Sequence, residues 1–265
     1  MPFPISPRQG SRLSRLQLRR GMGGKSPLYE FLEMYASRDV KLEQHNFTGQ
    51  GGFVSGEYWT LSNSGGTSAA NWALTVASGG YIQADTGTSD NGSVELIGPV
   101  IYSGDLNVGM ELDIQLDAVT DYNLEVGLID AAPGSNASGV SDIDTPAATF
   151  ADGALVQIDT DQTLTTLASI TDGSTASQDV KATTFATTTV LVAATWHTVK
   201  IQTFGNYCAF WFDGVLEAVH DANTTQAAGA FEGGVLLAPW IYCRTRSTTA
   251  KFPKIRRFTI WQDYA

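Results

Sequence analysis

The stretch Trp196–Val219, WHTVKIQTFGNYCAFWFDGVLEAV, constrains the fold of this chain more than any other. Val199 and Ile201 alternate with Lys200 and Gln202. Gly205-Asn206 then offers a turn, Cys208, Phe210 and Phe212 alternate with Ala209 and Trp211, and Asp213-Gly214 offers a second turn. Two turn signals between three period-two runs predict an antiparallel β-meander, and Asp-Gly between alternating apolar residues is the strongest short-range hairpin signal. Large apolar residues on both faces of 207–212 place the middle strand inside a sheet rather than at its edge.

The rest of the chain continues in the same style. From Phe47 onward, short runs at Tyr58–Leu61, Trp72–Val76, Tyr81–Ala84, Val94–Ile101, Met110–Leu116, Leu124–Ile129 and Leu155–Ile158 are divided by Gly, Asn, Asp and Ser clusters. Strands at this spacing, with no helical pattern between them, predict a sandwich or barrel. The Thr-rich segment 159–190 reads as two exposed strands around a loop at Asp172-Gly173-Ser174, because the β-branch of Thr favours extended backbone. A run ending in Trp240-Ile241-Tyr242 and the closing segment KIRRFTIW from Lys254 supply the last two strands. The broken alternation at Arg256-Arg257 predicts a bulge.

Ahead of this body, residues 1–25 form a Pro- and Gly-flanked basic arm containing Arg8, Arg12, Arg15, Arg19, Arg20 and Lys25. Its few apolar residues cannot build a core, so a partner surface is the expected holder, with the chain's own acidic body as the alternative. Ser26-Pro27 is a good helix start, and Leu28, Phe31, Leu32 and Tyr35 follow at helical spacing. The organisation expected is therefore an arm over 1–25, a short helix and linker over 26–45, and a β-sandwich over 46–265.

Charge sharpens that division. The chain has 16 basic and 27 acidic residues, for a formal charge of −11. Residues 1–29 carry six basic residues and no acid, leaving ten basic against 27 acidic beyond them, or −17. A cationic arm on an acidic body suits an acidic protein surface, where Arg forms bidentate pairs with carboxylates. The acidic body would repel DNA and the arm has no base-reading motif, so no sequence-specific nucleic-acid partner is expected. Only 16% of residues are charged, against about 25% in a typical domain.

No run of about 20 apolar residues is present, so no membrane span is expected. The positive N-terminus lacks a following apolar region, which argues against export and for use in the compartment of synthesis. Cys208 and Cys243 both fall in predicted strands, where pairing across neighbours and a reduced apolar position are both open; the reduced state is the commoner fate.

The order Trp-His-X-Val-X-Ile, Gly-Asn, Phe-Trp-Phe-Asp-Gly, a run ending Trp240-Ile241-Tyr242, and a final Ile-X-X-Phe-X-Ile resembles concanavalin A-like jelly rolls of the laminin-G and legume-lectin type. The resemblance covers about residues 46–263. It implies an all-β antiparallel jelly-roll sandwich whose last strand returns beside the first, in a fold shared by lectins, glucanases, carbohydrate-binding modules and virion proteins. The basic arm before a Gly-, Thr- and Ala-rich body is further similar to tailed-phage structural proteins of the capsid-decoration kind.

Within that family the retaining glucanases use a Glu-X-Asp-X-Glu strand row whose glutamates, about 5 Å apart, act as nucleophile and acid/base. Here Glu111 and Asp113 match the first two positions. Gln115 stands at the third, and Asp117 lies one step further along the same face. An amide cannot give and recover a proton, so no catalytic residue is assigned and the chain is read as non-enzymatic. His45, His197 and His220 are scattered, His197 flanking the meander, and no cofactor or metal is expected. The acids of Ser141-Asp142-Ile143-Asp144 with Asp152 suit turns better than calcium.

Trp59, Trp72 and Trp240 are candidate carbohydrate contacts, with burial in the core as the competing assignment. The combined expectation is an oligomeric virion structural protein, made in a host cytoplasm and docked through its arm on a major capsid or other virion protein. A carbohydrate-binding adhesin is the alternative, and a glucan hydrolase a distant third.

Overall fold

In a computed structural model, residues 40–46, 58–64, 71–75, 80–131, 138–139, 149–160, 168–173, 181–184, 191–204, 207–221 and 235–263 are described. The arm and the short helix expected from Ser26-Pro27 lie outside them. Among the described residues sixteen strands follow in chain order. The first eight are β1 (Val40–Asn46), β2 (Thr60–Ser64), β3 (Asn71–Thr75), β4 (Tyr81–Asp85), β5 (Ser93–Ile97), β6 (Tyr102–Ser103), β7 (Gly109–Gln115) and β8 (Tyr122–Ile129). The rest are β9 (Asp152–Asp159), β10 (Ala168–Gly173), β11 (Lys181–Thr184), β12 (Trp196–Phe204), β13 (Tyr207–Phe212), β14 (Val215–Asp221), β15 (Leu236–Thr245) and β16 (Lys254–Asp263).

They form two antiparallel sheets of the expected sandwich. The first runs β14-β13-β12-β7-β16-β4-β3 with β1 added on β16, and the second runs β11-β10-β9-β8-β15-β5-β2 with β6 added on β15. The meander lies as expected, with β13 paired to β12 on one side and β14 on the other. At its second turn Asp213 and Gly214 both have positive φ, 49° and 79°, the backbone that matches hairpin twist. β1 pairs with β16 from Val40↔Asp263 to Asn46↔Arg257, so the last strand does return beside the first. Residues 40–45, read from sequence as linker, thus belong to the sheet. β10 also runs through Asp172 and Gly173, where a loop was expected.

Alternation explains how the two sheets close on each other. In β7, Met110, Leu112 and Ile114 point inward, as do Val199 and Ile201 of β12, Phe210 and Phe212 of β13, and Phe258 and Ile260 of β16. Leu124, Val126, Val156, Ile158 and Ile241 meet them from the second sheet. Cys208 and Cys243 are unpaired thiols in this same core. Burial raises the pKa of both, so they act as small apolar groups. A register shift between Ile255 and Arg257 is the bulge expected in the last strand.

Candidate functional site

Each sheet has one inward and one outward face, and polar chemistry is concentrated on the outward ones. On the first sheet the row expected in β7 is present: Glu111, Asp113 and Gln115 alternate with the core residues Leu112 and Ile114. Its surroundings decide what that row can do. Arg257 Nη2 donates to Glu111 Oε1 at 2.7 Å and to Asp113 Oδ1 at 2.9 Å, so one nitrogen bridges the two acids. Arg256 Nε adds a bond to Asp113 Oδ2 at 3.0 Å, and the Thr198 hydroxyl donates to Asp113 Oδ1 at 2.8 Å.

Gln115 is equally committed. Its amide donates to the Ala194 carbonyl at 2.8 Å and accepts from Lys254 Nζ at 3.2 Å. Asp117 accepts from the Tyr122 hydroxyl and, at 2.9 Å, from the Phe252 N–H. Burial holds the Glu111 carboxyl above its ordinary value, while the Arg257 and Lys200 charges pull it back and Asp113 pushes with burial.

A raised carboxyl is what a general acid needs. In a glycosidase, however, the two carboxyls flank the bond to be cleaved. Here the second member of that pair is Gln115, an amide, and Arg257 Nη2 is bonded to both Glu111 and the intervening Asp113.

The outward face of the second sheet carries Trp240. Its indole N–H donates to Glu95 Oε1 at 2.7 Å, Glu95 Oε2 accepts from the Ser62 hydroxyl at 2.6 Å, and the indole stacks on Tyr242 with centroids 5.5 Å apart. Beside it Glu125 accepts from the Gly139 N–H at 2.7 Å, from the Gln157 and Asn123 amides at 3.3 and 3.2 Å, and from the Ser138 hydroxyl. Gly139 lies against the indole so closely that a Cβ there would stand 2.8 Å from a ring carbon. Trp240 is therefore wholly covered.

The sequence candidates are thus scattered. Trp59 lies inside the sandwich, edge-on to Phe258 at 4.8 Å, and offers no surface for a sugar. Trp240 sits under Gly139, Trp72 is described by its backbone only, in β3, and the arm residues Arg8, Arg12, Arg15, Arg19, Arg20 and Lys25 lie outside the described residues. The acids at 142 and 144 also lie outside them, and no group of three His, Cys, Asp or Glu that could hold a metal occurs among the described residues.

His197 braces the meander. Its Nδ1 is 2.7 Å from Asp213 Oδ2, its ring stacks on Phe212, and Asp213 Oδ1 accepts the Thr198 N–H at 2.8 Å.

Sequence reasoning passed over the aromatic and cationic group on the first sheet's outward face. Trp196 there carries the Arg256 guanidinium 4.5 Å above its ring, and Tyr81 carries Lys254 Nζ at 5.1 Å. The alternation of Trp196 with Val199 and Ile201 was a usable signal for its outward direction. Its meeting with Tyr81 depends on strand order, which no local signal encodes.

The fold is that of concanavalin A-like carbohydrate recognition domains and glucanases. The carbohydrate recognition domain of Emp47p superposes with a TM-score of 0.58 at 10% identity, over 84% of this chain and 98% of that one. The catalytic domain of an endo-1,3-β-glucanase (laminarinase) from Thermotoga petrophila gives 0.59 at 11% identity, over 86% and 100%. Rv0315 of Mycobacterium tuberculosis, an immunostimulatory antigen and pseudo β-1,3-glucanase, gives 0.57 at 9%, over 84% and 98%. Identities this low establish a shared jelly roll and no shared chemistry. No family model and no curated protein sequence matches the chain.

Proposed function

We propose that this protein is a non-catalytic virion structural component of the capsid-decoration kind, a jelly roll docked through its basic arm on a capsid or other virion protein. The observation that carries the non-catalytic part is Gln115 in the third place of the row, its amide bonded to the Ala194 carbonyl and to Lys254 Nζ. Attachment rests on the division of charge, six basic residues without an acid in residues 1–29 against −17 beyond them. An arm of that kind gains ion pairs and burial by lying along seams of an acidic lattice. Removing residues 1–25 abolishes stoichiometric attachment and leaves the body folded; a truncated chain that still saturates particles would sink the proposal. Catalysis is tested separately: no turnover of β-1,3-glucan is expected, and turnover lost in Glu111→Gln would overturn that expectation.

A second reading is saccharide binding, and the fold shared with the Emp47p carbohydrate recognition domain favours it. It does not depend on the arm. Of the tryptophans singled out from sequence, Trp59 and Trp240 are buried and offer it no surface.

A further inference from the structure

Ten basic residues follow residue 29, and four of them, Lys200, Lys254, Arg256 and Arg257, stand on the outward face of the first sheet. At one end of that face a single cross-strand row runs from Trp196 through Gln115 and Lys254 to Gln83, in register across β12, β7, β16 and β4. Tyr81 shares the face, since Ile82 and Ala84 of the same strand point into the core. Trp196 and Tyr81 lean together over the row, with centroids 6.3 Å apart and planes at 60°. The bulge before Arg257 adds Arg256 to the group, 44% exposed and laid on Trp196.

The charges in this group are not balanced. Glu111 and Asp113 are the acids of the row, and Arg257 takes both while Arg256 shares Asp113. Lys254 bonds the Gln115 amide, and no carboxylate lies within ion-pair distance of it among the described residues. Asp85, the next outward acid of β4, accepts the Gly87 N–H. A local positive excess on a body of −17 attracts an anion where the rest of the surface repels one.

The aromatic rings set the class of anion. Cation–π contact holds the guanidinium and the ammonium in place beside apolar ring faces, and the Gln115 and Gln83 positions flank Lys254 in the row. A carboxylated saccharide satisfies each part: its carboxylate meets Arg256 and Lys254, its C–H face lies on Trp196 or Tyr81, and its hydroxyls meet Gln83. Three inter-strand steps of about 4.8 Å make the row about 14 Å long. An oligomer laid across the strands runs over the Trp196–Tyr81 pair, whose rings meet above the row.

We propose that the face formed by Trp196, Tyr81, Lys254 and Arg256 binds a carboxylated oligosaccharide. This deepens the second reading above and rests on it, not on attachment through the arm.

The test is a calorimetric titration of the full chain with oligogalacturonate and with the same oligomer fully methyl-esterified. Binding to the acid form is expected, at least tenfold weaker for the ester and at least tenfold weaker in Arg256→Ala and Trp196→Ala, with Lys254→Ala as a third, milder variant. A paired Arg12→Ala, Arg15→Ala change in the arm leaves that affinity unchanged. Unchanged thermal melting of the three site variants establishes that they fold.

Equal affinity for acid and ester, or an affinity lost with the arm arginines and retained without Arg256, overturns the site while leaving saccharide binding open. Failure of the acid and ester forms alike to bind overturns the site, and failure of laminarin oligomers as well removes the saccharide reading with it.

Discussion

At the scale of single residues, close approach and charge compensation govern what this chain tolerates. Gly127 faces outward in β8, and a Cβ there would stand 2.2 Å from the Ala154 carbonyl oxygen and 2.6 Å from the Leu155 Cα. Both are backbone atoms of a paired strand and cannot swing aside. Gly127→Ala therefore costs about 1–3 kcal/mol in a denaturant melt, the range of an overpacked interior. Gly214 is the opposite case, with open space around it but φ at +79°. Gly214→Ala costs about 1–2 kcal/mol through backbone strain alone.

Glu111 carries a pH signature. Because its folded pKa is raised above 4.5, its contribution to stability is present below pH 4.5 and is lost as pH rises through the folded value. Thermal melts of wild type and Glu111→Gln should show wild type losing ground to the variant as pH climbs from 4 to 8; a gap independent of pH contradicts this. Both thiols are buried with raised pKa, so an aromatic disulfide reagent should label neither in the native state and both after unfolding.

At the scale of elements, what was legible in the sequence is what the chain encodes locally. Alternation through Val199, Ile201, Phe210 and Phe212 and the Asp213-Gly214 turn specify the β12-β13-β14 meander, and the irregular spacing at Arg256-Arg257 marks the bulge in β16. The pairing of β7 between β12 and β16 is not legible in that way, because residues near 111 meet partners near 200 and 259. The acid row illustrates the difference. Its outward direction follows from period two, whereas its neutralisation by Arg256 and Arg257 required knowing which strand lies beside it. Tryptophan was ambiguous for the same reason: Trp59 and Trp240 look alike in sequence, and only packing separates a core ring from one sealed under Gly139. The boundary at 46 was misplaced because Val40–Asn46, VKLEQHN, has little apolar content, and its place in the sheet comes from the edge of β16. β1 covers that edge. Changing Leu42 and Glu43 together to Pro removes a backbone donor from the ladder, since successive N–H groups alternate toward and away from β16, and lowers the melting temperature.

For the whole molecule, a rigid two-sheet body of net −17 and a sequence arm of +6 divide the work between framework and attachment. The body supplies stability through a core shared by both sheets, and the outward acids Glu111 and Asp113 are paired in place with arginine. The most direct measurement is co-sedimentation of the full chain and of a 26–265 truncation with candidate capsid or tail particles, with circular dichroism on each free chain. Saturable binding of the full chain, lost in a truncation that keeps its β spectrum, is the predicted result. Equal binding by both chains, or by neither, contradicts attachment through the arm.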